Sequence, residues 1–267
     1  MPVANARMYS VTPQCKADWK TLLAWVLARA DLDWPLLDHD APAPMSALWA
    51  RQDLGAVMMC GLPFARRTPP VTLIVAPLPS PARYGGRPVY ATDLVVAAGS
   101  RHARVDDTFG GVLGITLADS FSGGVAPLAY LDGFRDAQRS PPFRATVDGL
   151  IHARGVIEAT AAGRIDLGPL DSWCHDLLIA NDPSFAAQVR TLATTPMRPI
   201  PPFVATAPLA PDVLDRLRAA FLATASADDL VEPMQRLCLR GFVVPDARAY
   251  VLLADLARAG SPSSAAP

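Results

Sequence analysis

From Leu54 to Cys60 the chain is apolar at nearly every position, and the run stops at Gly61. A strand-length segment without polar alternation has to be covered on both faces, as strands inside a parallel sheet are. Val71 to Leu78 and Val89 to Ala98 are further apolar runs rich in β-branched residues, separated by the turn-rich stretch Pro79 to Pro88. A first strand is expected at Ala6 to Val11, and Thr12-Pro13 then supplies a capping hydroxyl and a proline that loses no hydrogen bond at the first helical position. Trp19, Leu22, Leu23, Val26 and Leu27 recur at helical spacing, which lays one face of that helix on a sheet. A short helix is expected around Met45 to Arg51.

The pattern restarts after Gly110. A strand at Val112 to Leu117, a loop at Ala118 to Gly124 and a helix from Val125 to about Phe134 come first. Then follow a strand at Phe143 to Val147, a helix at Ile151 to Ala162, a strand at Ile165 to Gly168, a helix at Ser172 to Ile179 and a last strand at Val189 to Thr194. Strands alternating with helices imply a mostly parallel sheet. Pro196 to Pro202 reads as a stiff, extended connection on which the chain crosses back. Beyond it, Pro211 to Thr224 carries Val213, Leu214, Leu217 and Phe221 on one helical face, and Tyr250 to Ala259 is another helix. The expected division is therefore two α/β lobes, one made of residues 1–95 and 198–260 and the other of 96–197, with 261–267 as a disordered tail.

Composition narrows the partners. At 267 residues with a net charge of −1 and no basic stripe, the chain is long enough for two cores and is not expected to bind nucleic acid. None of its apolar segments approaches the ~20 residues a membrane span requires. Met1 to Ala6 shows no positive flank followed by an apolar run, so no signal peptide is visible. Cys15, Cys60, Cys174 and Cys238 lack any CxxC spacing. Free thiols are the default reading, with disulfides left open.

The loop Asp119-Ser120-Phe121-Ser122-Gly123-Gly124 lies between a strand and a helix, where backbone donors point outward unpaired. Glycine allows close approach, two hydroxyls add donors and the helix dipole favours negative charge. An ordinary Ser-capped helix start is the plain alternative. His152 and Asp171 fall at further strand–helix junctions, the edge of an open sheet where ligands bind, although a residue of either type there is more often an ordinary helix cap. Tyr9 ends the first strand, and Cys60 and Gly61 end another on the same edge. Phosphate-loop, GxGxxG, HExxH and GxSxG signatures are missing. Ser122, His152 and Asp171 have the residue types of a hydrolytic triad, but Ser122 is in no nucleophile elbow.

Taken in order, Met8-Tyr9-Ser10, Met59-Cys60-Gly61-Leu62-Pro63-Phe64, Asp119-Ser120-Phe121-Ser122-Gly123, His152, Ala162 to Asp166, Leu170-Asp171 and Pro201-Pro202-Phe203-Val204 form a pattern from Met8 to Ala259. It resembles the phosphate, phosphite and phosphonate substrate-binding proteins of ABC transporters. The resemblance implies a two-lobed type II periplasmic-binding-protein fold, each lobe a mixed sheet flanked by helices, hinged by two crossing strands. It also implies a non-enzymatic protein that captures a small oxyanion in the interlobe cleft. By the same resemblance Ser120, Ser122 and Gly123 hold the oxyanion, His152 donates and Asp171 accepts a hydrogen bond, and Tyr9 with Cys60 and Gly61 closes the cleft. No cofactor or metal is called for, the partner is an ABC transporter permease, and the protein is expected to act as a monomer. Family members are exported to the periplasm; the absence of a visible leader leaves a cytoplasmic sensor, or a binder of a carboxylate or pyrimidine, as the alternative. A Ser/His/Asp hydrolase is the third reading. Leu62-Pro63-Phe64 lacks the tyrosine that many phosphonate binders place near there.

Overall fold

The computed structural model describes residues 1–134 and 142–259, so the expected tail at 261–267 lies outside the described residues. The first sheet has five strands in the order β1-β2-β11-β3-β12, where β1 is Val3–Asn5, β2 Leu54–Met58, β3 Thr72–Pro79, β11 Phe203–Ala205 and β12 Leu239–Val243. β1 and β2 are parallel, and the remaining pairs are antiparallel. β2 is buried throughout because its two faces serve different cores. Ala56, Met58 and Cys60 point into the main one, while Leu54, Val57 and Met59 join a smaller cluster on the far face. Helices α1 (Pro13–Arg29), α2 (Met45–Trp49) and α3 (Gly61–Arg66) belong to this half of the chain, as do α8 (Pro211–Ala223), α9 (Val231–Arg236) and α10 (Val251–Ala259). Thr12 caps α1 by accepting the Cys15 amide, and Trp19, Leu22, Leu23, Val26 and Leu27 are all buried beneath it.

The second sheet is built on β5 (Thr92–Ala97), which lies antiparallel between β8 (Gly168–Asp171) and β9 (Val189–Thr194). A parallel bridge from Leu113 to Leu167 extends it to β6 (Val112–Gly114) and β7 (Ala145–Val147), themselves parallel. Side chains along β5 alternate: Val95 faces one cluster, and Leu94 and Val96 face the other. The helices of this half are α4 (Ala126–Asp132), α5 (Ala153–Ala161), α6 (Ser172–Asn181) and α7 (Pro183–Ala186). Two short crossing strands, β4 (Val89–Tyr90) and β10 (Arg198–Pro199), pair with each other between the sheets.

Several expectations change. The first strand is Val3–Asn5, and Tyr9 sits beyond it in a turn at φ 62°. The run Val89 to Ala98 is two elements, so a boundary between 95 and 96 would cut β5, which pairs wholly within the second sheet. That sheet is mixed because β5 arrives from the crossing and runs against its neighbours. The strand expected at Ile165 to Gly168 is shifted on to Gly168–Asp171, which brings Asp171 to the strand end. All four cysteines are free thiols. No helix among the described residues is long and apolar enough to cross a membrane.

Candidate functional site

The Ser loop is the start of a helix wound loosely. Phe121–Val125 forms one π-helical turn that runs directly into α4, with the Ser120 hydroxyl capping it by accepting the Gly123 amide at 3.1 Å. Glycine is required there. A Cβ on Gly123 would lie 1.7 Å from Thr116 Oγ1, and one on Gly124 2.7 Å from the Leu117 carbonyl oxygen. Such single π turns widen a helix and recur at functional sites.

Facing this turn is the start of α6. Asp171 caps that helix, its Oδ1 accepting the amides of Trp173 and Cys174 at 3.0 and 3.1 Å. Its Oδ2 accepts the Tyr9 hydroxyl at 3.1 Å and stands 3.5 Å from Ser122 Oγ. Tyr9 comes from the five-stranded side of the molecule and lies against Trp173, ring centroids 4.3 Å apart. Its left-handed backbone, costly for a residue with a Cβ, aims the phenol at the carboxylate. Cys60 approaches from the same side, beside Phe121 and Leu62. The cluster is thus assembled by both sheets.

A further hydroxyl belongs to it. Tyr90, on the crossing strand β4, is fully buried, and its phenol points toward Ser122 without reaching hydrogen-bond geometry to any described group. A buried hydroxyl left unpaired costs about 1–3 kcal/mol, so its orientation calls for a partner. Two residues along, Thr92 Oγ1 donates to the Ser122 carbonyl at 2.8 Å. The sequence showed only an apolar run here; the Tyr-x-Thr spacing inside it was the available signal.

Burial sets the charges. It pushes the Asp171 carboxyl up to about 7, overcoming the opposing pull of the Cys174 amide, the Tyr9 hydroxyl and the Trp173 amide. Burial, reinforced by the Asp171 charge, raises the Tyr9 phenol well above its ordinary range, and burial with Cys60 and Asp171 nearby does the same for Tyr90. The Cys60 thiol is pushed up by burial as well. Near neutral pH the cluster therefore presents neutral donors and one carboxyl close to half ionisation. That set can grip an oxyanion and accept a hydrogen bond from a protonated ligand oxygen, but it holds no ionised nucleophile.

Of the sequence candidates, Tyr9, Cys60, Ser122 and Asp171 converge. Ser120 and Gly123 shape the turn that carries Ser122. Gly61 opens α3 and has a packing reason, since a Cβ there would lie 2.5 Å from Leu253 Cδ1 of α10. His152 does not join them. It is exposed and caps α5, its Nδ1 accepting the Gly155 amide at 3.0 Å. No hydrogen bond among the described residues connects it to Ser122 or Asp171, so the triad arrangement does not form.

No curated protein matches the chain in sequence. Among solved structures it is similar to a binding-protein component of an ABC phosphonate transporter from Pseudomonas aeruginosa, at 15% identity and a TM-score of 0.79 over 97% of this chain and 86% of that one. It is also similar to PhnD1 from Prochlorococcus marinus in complex with methylphosphonate, at 13% identity and a TM-score of 0.79 over 96% and 97%. A third is a Xanthomonas citri protein bound to ATP, at 20% identity and a TM-score of 0.67 over 97% of both chains. These likenesses show the fold, that of a type II periplasmic binding protein. Residues 57–250 match the family of periplasmic substrate-binding proteins of phosphonate ABC transporters, and with most of its length inside that match the chain belongs to this family of transport components, which are not enzymes.

Proposed function

We propose that the protein captures a small phosphorus oxyanion of the phosphonate, phosphate or phosphite type by closing two lobes around it, and delivers it to an ABC transporter permease. The lobes in this reading divide at the crossing strands: residues before β4 and after β10 form one, and β5 through β9 form the other. The observation that carries the reading is the convergence of Tyr9, Tyr90, Ser122 and Asp171 at the start of two helices, with the Tyr90 hydroxyl buried and unpartnered. Three hydroxyls gathered at the start of the π turn suit the oxygens of a tetrahedral anion. Asp171 selects for a ligand that brings a proton on one oxygen, because a fully deprotonated anion would meet a carboxylate. Phe121 and Trp173, both fully buried beside the cluster, favour a small ligand tail over a nucleotide. The methylphosphonate complex of the Prochlorococcus protein agrees in ligand class. Family membership points to the periplasm as the compartment.

A thermal-shift and calorimetry panel of methylphosphonate, phosphite, phosphate, ATP, acetate and a free pyrimidine tests this. A ligand at 100 times its Kd raises stability by about 2.7 kcal/mol, an easily read shift in Tm. Stabilisation by methylphosphonate, phosphite or phosphate, and by none of the others, is expected. Stabilisation by acetate or the pyrimidine with none from phosphorus compounds would overturn the ligand class, and preference for ATP would overturn the size argument.

A further inference from the structure

Between β3 and the crossing strand β4 the chain makes one short 3-10 turn, Ala82–Tyr84. Arg83 in that turn reaches across to α6. Its Nε and Nη2 meet the two carboxylate oxygens of Asp176 at 3.0 and 2.8 Å, and Nη2 also donates to the Ser172 carbonyl. Nη1 bonds to Asp93 Oδ2 of β5 at 3.0 Å. The Tyr84 hydroxyl donates to Asp176 at 2.5 Å and stands 3.1 Å from Ser172 Oγ, which accepts the Ala91 amide at 2.9 Å. Asp93, fully buried, takes further bonds from Thr194 Oγ1 at 2.7 Å and with His175 Nδ1 at 2.9 Å. Burial alone would lift the Asp93 carboxyl, but the bonds from His175, Arg83 and Thr194 outweigh it and hold the group below its ordinary range.

Ser172 is the first residue of α6 and the neighbour of Asp171. The turn therefore holds that residue by its carbonyl and brackets its hydroxyl. Only a planar fork can meet Asp176 with two nitrogens while a third serves Asp93, which is why arginine and not lysine suits this place.

We propose that Arg83 is a positioning residue for ligand capture: it pins the first turn of α6 to the segment entering the crossing strands, so that Asp171 is held in place to meet Tyr9 and the ligand as the lobes close. This rests on the reading of Asp171 as a ligand acceptor. The full-length protein is compared with Arg83→Met and Arg83→Lys, with methylphosphonate, phosphite and phosphate as probes. Two readouts are taken: ligand on- and off-rates by stopped-flow tryptophan fluorescence, and amide exchange of Trp173 and Cys174, whose amides bond to Asp171, in the ligand-free protein. Arg83→Met is expected to raise the off-rate about tenfold while the on-rate changes little. It is also expected to speed exchange at Trp173 and Cys174 but not at Val156 and Ile157 in α5, and Arg83→Lys is expected to restore part of both. Unchanged off-rate and exchange would overturn the proposal. So would a uniform rise in exchange over α5 and α6, which would mark general destabilisation. If the wild-type protein binds none of the three probes, the ligand reading fails by itself and the site-selective exchange alone decides the role of Arg83. Should Arg83→Met not fold, Arg83→Lys and Asp176→Asn carry the same comparison.

Discussion

Asp171 and His152 occupy equivalent places in the chain, each the cap of a helix in the second half of the molecule, and each accepts a backbone amide from the first turn. Their surroundings separate them. α6 is packed against the core of the opposite side through Trp173 and Leu177, so its cap meets Tyr9 from across the molecule and Ser122 of its own half. α5 packs on the sheet of its own half, through Val156 and Ile157, and its cap is exposed. Both junctions also contain or approach a strained backbone, at Tyr9 for one and at Ile151 for the other, with φ of 62° and 64°. Neither capping nor strain thus marks a binding residue. What sets Asp171 apart is its place where the two halves meet, against Tyr9 and Ser122.

The largest effect expected on this contrast comes from the turn that faces Asp171. Gly123→Ala would force a Cβ onto Thr116 and should cost on the order of 3 kcal/mol or more in stability, together with loss of ligand binding. Denaturant unfolding and calorimetry read both. An alanine at Gly149, where a Cβ meets nothing, pays only for its left-handed φ of 72°; a drop of about 1 kcal/mol is expected there.

The caps themselves come next. Asp171→Ala should weaken phosphonate or phosphite binding by on the order of 100-fold, because it removes the acceptor shared by Tyr9 and Ser122. His152→Ala should leave affinity within about twofold and cost about 1 kcal/mol or less as a lost cap. Equal losses of affinity in the two variants would break the comparison.

The pH dependence sharpens it. The Asp171 carboxyl is raised from 3.8 to about 7, so its proton favours the folded state. That contribution is fully present below 3.8 and is lost as pH rises through about 7. Affinity for an anion that carries no proton should fall over the same upper range as the carboxylate forms. Asp171→Asn should flatten both profiles in thermal melts and titrations, whereas His152→Ala should leave their midpoint in place.

Tyr90→Phe is the mildest change. Removing an unpartnered buried hydroxyl should leave stability unchanged or raise it by up to about 1 kcal/mol, yet weaken oxyanion binding about tenfold. Weakened folding with intact binding would show that the phenol serves structure and not ligand.

Much of this was legible in the sequence, for identifiable reasons. The Thr12-Pro13 cap and the buried stripe of α1 follow from local geometry and helical period. The apolar run of β2 announced its two-sided burial. Where the pattern was interrupted, reading failed. β12 was missed because Arg240-Gly241 breaks its apolar run, and the register against β3 slips at that point, with Gly241 at φ 151°. Tyr90 was hidden because Val89 to Ala98 reads as one strand, whereas the pairing breaks at Ala91, whose amide is taken by Ser172 Oγ. No local pattern could show that break, since the partner of the Ala91 amide lies 81 positions away.

By itself the sequence determined what depends on neighbours along the chain: the helices and the uninterrupted strands such as β2, where α1, α5 and α6 are capped, and which loop carries the glycines and hydroxyls of the π turn. Tertiary structure alone decided which caps share one site, that Tyr90 and Thr92 serve it from the crossing strand, and that Arg83 grips α6. These last are contacts across the junction of two sheets, and burial there, not residue type, moves the Asp171 carboxyl toward neutrality.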